Sequence, residues 1–258
     1  MLLAGIATAA AKGWPTPAAG ESASGGAEVL FTFDDGPNPK TTPFVLDTLA
    51  AHHIHAVFFM VGDMAGSENK KVKPLIERIL REGHVIGTHT MHHYDLCKKK
   101  EDVAVRDLDD GKATVEKAAG IRTAWFRTPY GARCERVERL LAERHLEHFH
   151  WDLDPQEWKH KNADKAYAYV TDALSRTGDR NVLLMHDIHE ATVKALPRIL
   201  DWIDEENAKR KKSHKKPILV LQAPAYAIEK LPKGFVPWVT EATAGIRSLP
   251  SSIASVLP

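Results

Sequence analysis

The sequence of 258 residues has few cysteines, almost no net charge and no long apolar run. Its two cysteines, Cys97 and Cys134, are too few for a disulfide framework and lack metal-ligand spacing to each other. We expect both to be structural, and the sequence leaves open whether they pair. With 35 basic and 34 acidic residues, the chain gives no reason to expect a nucleic-acid partner. No apolar run reaches the roughly 18–20 residues of a transmembrane span, so none is predicted.

The N-terminal stretch MLLAGIATAAAKG is apolar and has small residues near Ala9–Ala11, but it lacks a basic region. This pattern is typical of a truncated secretory signal. We therefore expect export to the periplasm or the medium, with a disordered tail on a cytoplasmic protein as the alternative. The Pro/Gly/Ser-rich segment Trp14–Gly26 indicates a linker, so residues 1–27 are assigned to signal and linker.

Short apolar runs alternate with amphipathic stretches from about Glu28 to Leu221, and no internal repeat is visible. Strands are predicted at Val29–Phe33, Ala56–Val61, His84–Gly87, Ala124–Arg127, His148–Asp152, Val182–Met185 and Ile218–Gln222. Helices are predicted at Thr42–His52, Val72–Glu82, Asp102–Ala119, Glu135–Arg144, Ala163–Ser175 and Thr192–Asn207. This alternation predicts an α/β fold with a mainly parallel sheet, and about seven units favour closure into a barrel. Residues 28–222 form this one domain, and residues 223–258 are expected to be an irregular extension on the barrel exterior.

Two adjacent carboxylates, Asp34 and Asp35, end the first predicted strand in the stretch FTFDDG. Strand alternation would point them to opposite faces, but the bend at Gly36 and Pro37 relaxes that rule and lets both face one cavity. Reactive groups collect at the C-terminal ends of strands in such folds. An ordinary turn remains the alternative, because Asp-Gly-Pro is common loop chemistry.

Histidines and an arginine follow three other predicted strands. In HTMHH, His89 and His93 share one face if the stretch is a helical turn, and His92 is an equally possible partner on spacing alone. Two histidines and a carboxylate, with positions left for water, form a recurring open metal site. Arg127 and His186 each end a further strand, where a structural salt bridge and a core histidine are the plain alternatives.

The loop after the fifth predicted strand, Trp151–Lys159, combines three acids with two tryptophans. Aromatic rings beside acids are common in sugar-binding clefts and also at plain core edges. Taken together, five strand ends carry two acids, a histidine pair, an arginine, this loop and another histidine. Chance does not readily place so many reactive groups at one end of a barrel.

Five of these stretches, in this order, resemble the five motifs of the NodB-type polysaccharide deacetylases, which make up carbohydrate esterase family four. They are TFDDG (Thr32–Gly36), HTMHH (His89–His93), RTPY (Arg127–Tyr130), the DPQEW loop (Asp154–Trp158) and LMH (Leu184–His186). The resemblance spans roughly residues 29–221. It implies a NodB homology domain, which is a distorted (β/α)7 barrel, and metal-dependent removal of N-acetyl groups from sugar polymers.

The resemblance also implies a role for each matching residue. Asp35, His89 and His93 would hold a divalent metal. Asp34 would be the general base and His186 the general acid. Zinc is the expected metal because nitrogen and oxygen ligands with an open position suit it, and cobalt, nickel and manganese are the alternatives.

Further implied roles fall on residues around this set. Arg127 would position the base, and the backbone N–H of Tyr130 would help to hold the oxyanion. Three residues would shape the substrate groove: Trp158, Leu184 and Pro129.

Glu157 departs from the family pattern, which has aspartate immediately before the tryptophan. The carboxylate at this position is expected to tune the acid histidine. Because Glu157 is longer by one methylene, either the pairing is rearranged or Asp154 takes over the role.

The expected function is N-deacetylation of an N-acetylglucosamine-containing polysaccharide of peptidoglycan or chitin type, with release of acetate. An O-acetyl esterase acting on xylan and a catalytically silent sugar-binding protein are the alternatives, and the presence of all five motif cores argues against the silent one. We expect the basic run Lys209–Lys216 to solvate the last helix end, with contact to an anionic envelope polymer as the alternative. The histidines His145, His148 and His150 are expected to have no functional role.

Overall fold

The computed structural model of the chain describes residues 20–21 and 25–230. The apolar N-terminal stretch, most of the predicted linker and the residues after 230 lie outside the described residues.

An eight-stranded sheet forms the centre of the fold. Its strands are β1 (Gly20–Glu21), β2 (Glu28–Asp34), β3 (Val57–Met60), β4 (Val85–Thr88), β5 (Trp125–Phe126), β6 (Glu147–His148), β7 (Asp179–His186) and β8 (Leu219–Val220). The spatial order is β1-β7-β2-β3-β4-β5-β6, and β8 pairs with β2. All these pairs are parallel except β1 with β7.

The chain that follows β6 closes the sheet into a distorted barrel. Leu153 forms a parallel bridge to Leu183 of β7, and the Leu184 N–H donates to the Leu153 carbonyl at 2.9 Å. The strands β2 to β8 are the seven parallel strands that the sequence predicts. The predicted α/β fold, a distorted (β/α)7 barrel, is therefore confirmed.

The described helices join successive strands, apart from one that follows β8. They are α1 (Thr42–Ala51), α2 (Gly62–Ala65), α3 (Val72–Arg81), α4 (Glu101–Ala119), α5 (Glu135–Glu143), α6 (Glu157–His160), α7 (Ala163–Arg176), α8 (Glu190–Lys212) and α9 (Ala223–Lys230), with a 3₁₀ turn at Pro129–Gly131. The six predicted helices are all present. The helices α2, α6 and α9 have no counterpart among the predictions.

The two faces of β2 pack against different surroundings. Phe31 and Phe33 face the outer layer, where α3 contributes Leu75 and Ile79 from one helical face. Fully burying such a side chain contributes about 1.5–3 kcal/mol. Leu30 belongs to the opposite face and packs in the barrel interior. By strand alternation, the interior face continues to Asp34.

The segment after Gln222 differs from its prediction. It is not irregular over Ala223–Lys230, which form α9. Ala223 and Tyr226 join the interior cluster, and the Tyr226 ring lies 5.6 Å from that of Phe149. This part of the segment therefore fills the barrel interior instead of lying on its exterior.

Candidate active site

Asp34 and Asp35 line one cavity of about 420 Å³ at the carboxyl end of β2. Asp34 ends the interior face of the strand and is 2% exposed. Asp35 leaves the strand with a left-handed backbone, at φ 75°, and this turn brings its side chain to the same cavity. The prediction that both carboxylates face one cavity is confirmed. We call this space the reaction cavity.

Asp35, His89 and His93 form a potential metal site, because one ligand atom from each lies within 4.8 Å of the others. The Asp35 Oδ1 atom lies 3.3 Å from His93 Nε2 and 3.6 Å from His89 Nε2. This oxygen is buried and has no hydrogen-bond partner, so a cation would satisfy it. Two imidazoles and one carboxylate that open onto a cavity suit a divalent metal.

The Arg127 backbone orients His89. Nδ1 of His89 lies 2.7 Å from the Arg127 carbonyl oxygen. Because a carbonyl can only accept, Nδ1 carries the proton and Nε2 turns its lone pair toward the cluster. His89 thus has the tautomer that metal binding requires.

The segment that carries the two histidines is a loop and not a turn of helix, contrary to the condition under which His89 and His93 would share a helical face. Left-handed backbone at Thr90 (φ 67°) and His93 (φ 56°) folds the chain back and brings the two imidazoles together, with ring centroids 4.9 Å apart. His92 points elsewhere and its Nδ1 lies 2.8 Å from Asp63 Oδ2 on the surface. The structure therefore places His93, and not His92, beside Asp35 and His89, a choice that spacing alone left open.

Arg127 is completely buried beneath the reaction cavity. Its guanidinium donates to Asp34 Oδ1 at 2.7 Å, to Thr32 Oγ1 at 2.8 Å and to the Phe149 carbonyl at 2.8 Å. It also lies 4.2 Å from the centroid of the Phe59 ring. These contacts fix the Asp34 carboxylate in one orientation and neutralise its charge.

Glu157 holds His186 on the other side of the cavity. The Glu157 Oε1 atom lies 2.9 Å from His186 Nδ1 and accepts from the His186 backbone N–H at 2.8 Å. Burial lowers the pKa of His186, but the hydrogen bond and charge of Glu157, together with Asp34 and Asp35, outweigh it and raise the pKa to about 9. Glu157, although one methylene longer than aspartate, therefore pairs with His186.

Asp154 does not take the place of Glu157. Its Oδ1 accepts from the Gln156 backbone N–H at 2.8 Å, and its side chain lines the reaction cavity. Burial raises the pKa of the Asp154 carboxyl. Of the two alternatives for the acid histidine's partner, the structure supports Glu157.

The rim of the reaction cavity carries aromatic side chains. Tyr130 is 71% exposed with a left-handed backbone (φ 61°), and Trp158 is 43% exposed. Leu184 also lines the cavity, as the groove prediction requires. Pro129 is buried, is not among the residues that line the cavity, and starts the 3₁₀ turn that carries Tyr130, so its place in the groove stays a prediction.

The sequence matches the family model described as polysaccharide deacetylase over residues 22–148. It is 34% identical over 194 residues to the chitooligosaccharide deacetylase of Sinorhizobium fredii, and the match covers 69% of this chain and 86% of that protein. The chain belongs to the polysaccharide deacetylase family. It is also 32% identical over 187 residues to the peptidoglycan-N-acetylglucosamine deacetylase of Bacillus cereus, covering 71% of this chain and 66% of that protein.

A third family member, PdaC of Bacillus subtilis, is named a peptidoglycan-N-acetylmuramic acid deacetylase. The identity is 30% over 178 residues, which is 69% of this chain but only 36% of PdaC, so the chain spans much less than the whole of that relative. The solved structure of PdaC superimposes with a TM-score of 0.65 at 27% identity, and covers 81% of this chain and 94% of that one. The barrel is thus shared with this polysaccharide deacetylase.

A disulfide joins Cys97 to Cys134 in this polysaccharide deacetylase domain. The first cysteine follows the loop that carries His93, and the second follows the turn that carries Tyr130. The bond therefore ties together two segments of the cavity wall. It settles the pairing that the sequence left open and agrees with a structural role for both cysteines.

Two further residues, Trp151 and His189, line the reaction cavity. Trp151 starts the loop in which the sequence marks acids beside tryptophans, but it receives no role of its own there. His189 is not among the sequence predictions. His189 lies three residues after the acid histidine, at the start of α8, and its ring is 5.8 Å from that of His186. It stands just after a stretch that resembles a family motif, but nothing in its own spacing marks it.

His148 and His150 are not among the residues that line the reaction cavity. His148 Nε2 lies 2.9 Å from Thr128 Oγ1, beneath the turn that carries Tyr130. Burial lowers the pKa of His150 to about 4. In the part of the chain that the structure describes, no helix has the length and apolar character to cross a bilayer.

Proposed function

We propose that this protein is a metal-dependent hydrolase that removes N-acetyl groups from an N-acetylglucosamine-containing polysaccharide and releases acetate. One observation carries the proposal: a potential metal site, a buried carboxylate held by arginine and a histidine held by glutamate all line one cavity. The names of the relatives support the substrate class, since they are deacetylases of peptidoglycan and of chitooligosaccharides.

The metal would be held by Asp35, His89 and His93. A bound divalent cation supplies polarisation of the acetyl carbonyl and lowers the pKa of a water ligand. We propose zinc, because two imidazoles, one carboxylate and an open position suit it, with cobalt, nickel or manganese as alternatives.

Asp34 would accept the proton of the attacking water. Its carboxylate is anchored at Oδ1 by Arg127, so Oδ2 stays available on the cavity side, 3.6 Å from His89 Nε2. A base that is fixed within reach of its proton is the geometry that general base catalysis needs.

His186 would donate a proton to the departing sugar nitrogen. With Nδ1 engaged by Glu157, the Nε2–H is the group left to face the cavity. The pKa of about 9 keeps the imidazolium protonated at neutral pH. The backbone N–H of Tyr130 would donate to the developing oxyanion, and preorganised donors of this kind are usually the largest contribution to catalysis.

We also propose that the protein is exported. The disulfide between Cys97 and Cys134 supports this, because disulfides persist mainly in oxidising compartments. Fractionation of the source cells tests it, and recovery of the protein from the cytoplasm alone would contradict export.

The activity is tested by measuring acetate release from chitooligosaccharides, peptidoglycan fragments and acetylated xylan. Each assay is run on the purified protein, after chelation, and after addition of zinc. We expect release from the first two substrates that chelation abolishes and zinc restores. Release from acetylated xylan alone would favour the esterase alternative. A chelated protein that still works at full rate would refute the metal-dependent mechanism.

A further inference from the structure

A second cavity adjoins the reaction cavity and shares His189 with it. This flanking cavity has a volume of about 360 Å³ and lies where the chain enters α7 and α8. It is lined by Lys161, Ala163, Ile188, His189, Glu190, Ala191 and Lys194. A polymer with one sugar in the reaction cavity has room for a neighbouring sugar or its substituent here.

The two cavities differ in charge. Three aspartates, Asp34, Asp35 and Asp154, line the reaction cavity, whereas two lysines line the flanking cavity. One of these cations is already matched, because Lys194 Nζ lies 3.2 Å from Glu190 Oε2. Lys161 forms no ion pair with any residue that the structure describes. The flanking cavity therefore carries one positive charge, on Lys161, that pairs with no described acidic side chain.

Lys161 has a fixed position relative to the proposed catalytic groups. It follows α6 in a left-handed conformation (φ 49°), and its backbone N–H donates to the Glu157 carbonyl at 2.8 Å. Glu157 holds His186, and the intervening Trp158 lines the reaction cavity. The four-residue helix α6 therefore places the backbone of Lys161 close to Glu157, the partner of the proposed proton donor.

We propose that the flanking cavity binds a carboxylate carried by the sugar next to the one that is deacetylated. The substrate would then be an acidic glycan in which N-acetylglucosamine alternates with a muramic acid residue. The carboxylate belongs either to the lactyl ether of that residue or to the peptide attached to it. This inference rests on the proposed function and specifies its substrate, because neutral chitin offers Lys161 no anionic partner.

The exposure of the two lysines sets how large an effect on kcat/KM their removal should have. Both lysines are exposed, so solvent screens their attraction for a carboxylate. An exposed ion pair is worth little, and removing one lysine should weaken kcat/KM on an acidic substrate about three- to fivefold. The loss should appear mainly in KM and should shrink as salt is added, because the contact is made equally in the ground state and the transition state.

The test uses three tetrasaccharides of alternating N-acetylglucosamine and N-acetylmuramic acid. In the first the lactyl carboxylate is free, in the second it is a primary amide, and in the third it carries a short peptide that ends in a carboxylate. Chitotetraose is the neutral reference. Acetate release is measured with the zinc-loaded full chain and with Lys161→Met, which keeps the length of the stem without its charge.

The matched control is Lys117→Met. Lys117 and Lys73 line a separate cavity of about 380 Å³ that shares no lining residue with the reaction cavity. We expect the unmodified protein to prefer at least one carboxylate substrate over the amide by about threefold or more. Lys161→Met should abolish that preference and leave chitotetraose turnover unchanged, and Lys117→Met should leave both unchanged. The substrate whose preference is lost in Lys161→Met shows whether the lactyl or the peptide carboxylate is bound.

Equal rates on the carboxylates and the amide would overturn this inference, as would a preference that survives in Lys161→Met. Turnover of chitotetraose in the same experiment would still support the proposed function. If no substrate releases acetate with any zinc-loaded protein, the proposed function fails, and the substrate inference fails with it.

Discussion

The guanidinium of Arg127 donates to Asp34 Oδ1 at 2.7 Å, and both side chains are almost fully buried. Two opposite charges compensate each other at a depth where either alone would be costly. Arg127 uses its remaining donors on Thr32 and on backbone carbonyls, so it cannot turn away from the carboxylate. The contact explains how the strand end tolerates a second acid beside the proposed metal ligand.

The substitution Asp34→Asn tests the general base. The amide oxygen can still accept from Arg127, so the variant should fold, but it cannot take a proton from water. Acetate release should fall by about 10²- to 10⁴-fold. Zinc content, measured on the same preparation, should stay near that of the unmodified protein. Near-normal turnover would show that the base is another group.

The loop histidines provide a matched pair for the metal site. His93→Ala removes a ligand from the cluster, whereas His92→Ala removes a surface contact with Asp63. The first change should weaken zinc binding by about 100-fold or more, and the second should leave it nearly intact. Competition with a chromophoric chelator gives both affinities. Equal zinc affinities of the two variants would mean that His93 is not a metal ligand.

Glu157→Gln should shift the pH dependence of activity. His186 must be protonated to donate, so activity falls as pH rises through its pKa, which Glu157 helps to raise to about 9. Removing that negative charge lowers the pKa, so the descending limb of kcat/KM should move to lower pH by about one unit. Glu143→Gln, an exposed change on α5, serves as the control and should leave the limb in place. An unmoved limb in Glu157→Gln would contradict the assignment of the acid.

Gly36→Ala should destabilise the fold, because a Cβ at this position would overlap the carboxylate of Asp187. Asp187 is fully buried and bonded to Thr42, so it cannot give way easily. We expect a loss of about 1–3 kcal/mol in the free energy of unfolding, measured by urea denaturation. Gly178→Ala is the control, since its Cβ would meet open space, and it should change stability by less than about 0.5 kcal/mol. Comparable stability of the two variants would mean that the turn after Asp35 readily rearranges.

The sequence predicts the order of strands and helices well because alternating apolar runs record which face of each element is buried. Because residues at the ends of parallel strands converge, it also predicts that Asp35 meets His89 and one histidine of the following loop. The choice of His93 over His92 comes from the family resemblance alone. The sequence does not predict the backbone conformation that brings these side chains together. The left-handed backbone at Thr90 and His93 occurs without glycine, so no local signal announces the loop.

Other features depend on contacts that are distant in the chain. The choice between Glu157 and Asp154 is decided by the four-residue α6, which is too short to be read from periodicity. The pairing of Cys97 with Cys134 needs their Cα atoms to lie 6.0 Å apart, which their separation of 37 residues does not reveal. The composition of α9 gives no clear helical pattern. This helix is stabilised by tertiary packing against residues such as Phe149.

Under the proposed function, the packing of α9 has a consequence for how a long glycan would bind. Because Tyr226 and its neighbours fill the middle of the barrel, no strand of sugars can thread through it. A polymeric substrate would then lie across the open mouth, with units projecting past the protein on both sides. A unit deep within a chain could then enter the reaction cavity, so the proposed function predicts loss of acetate from interior positions as well as from the chain ends.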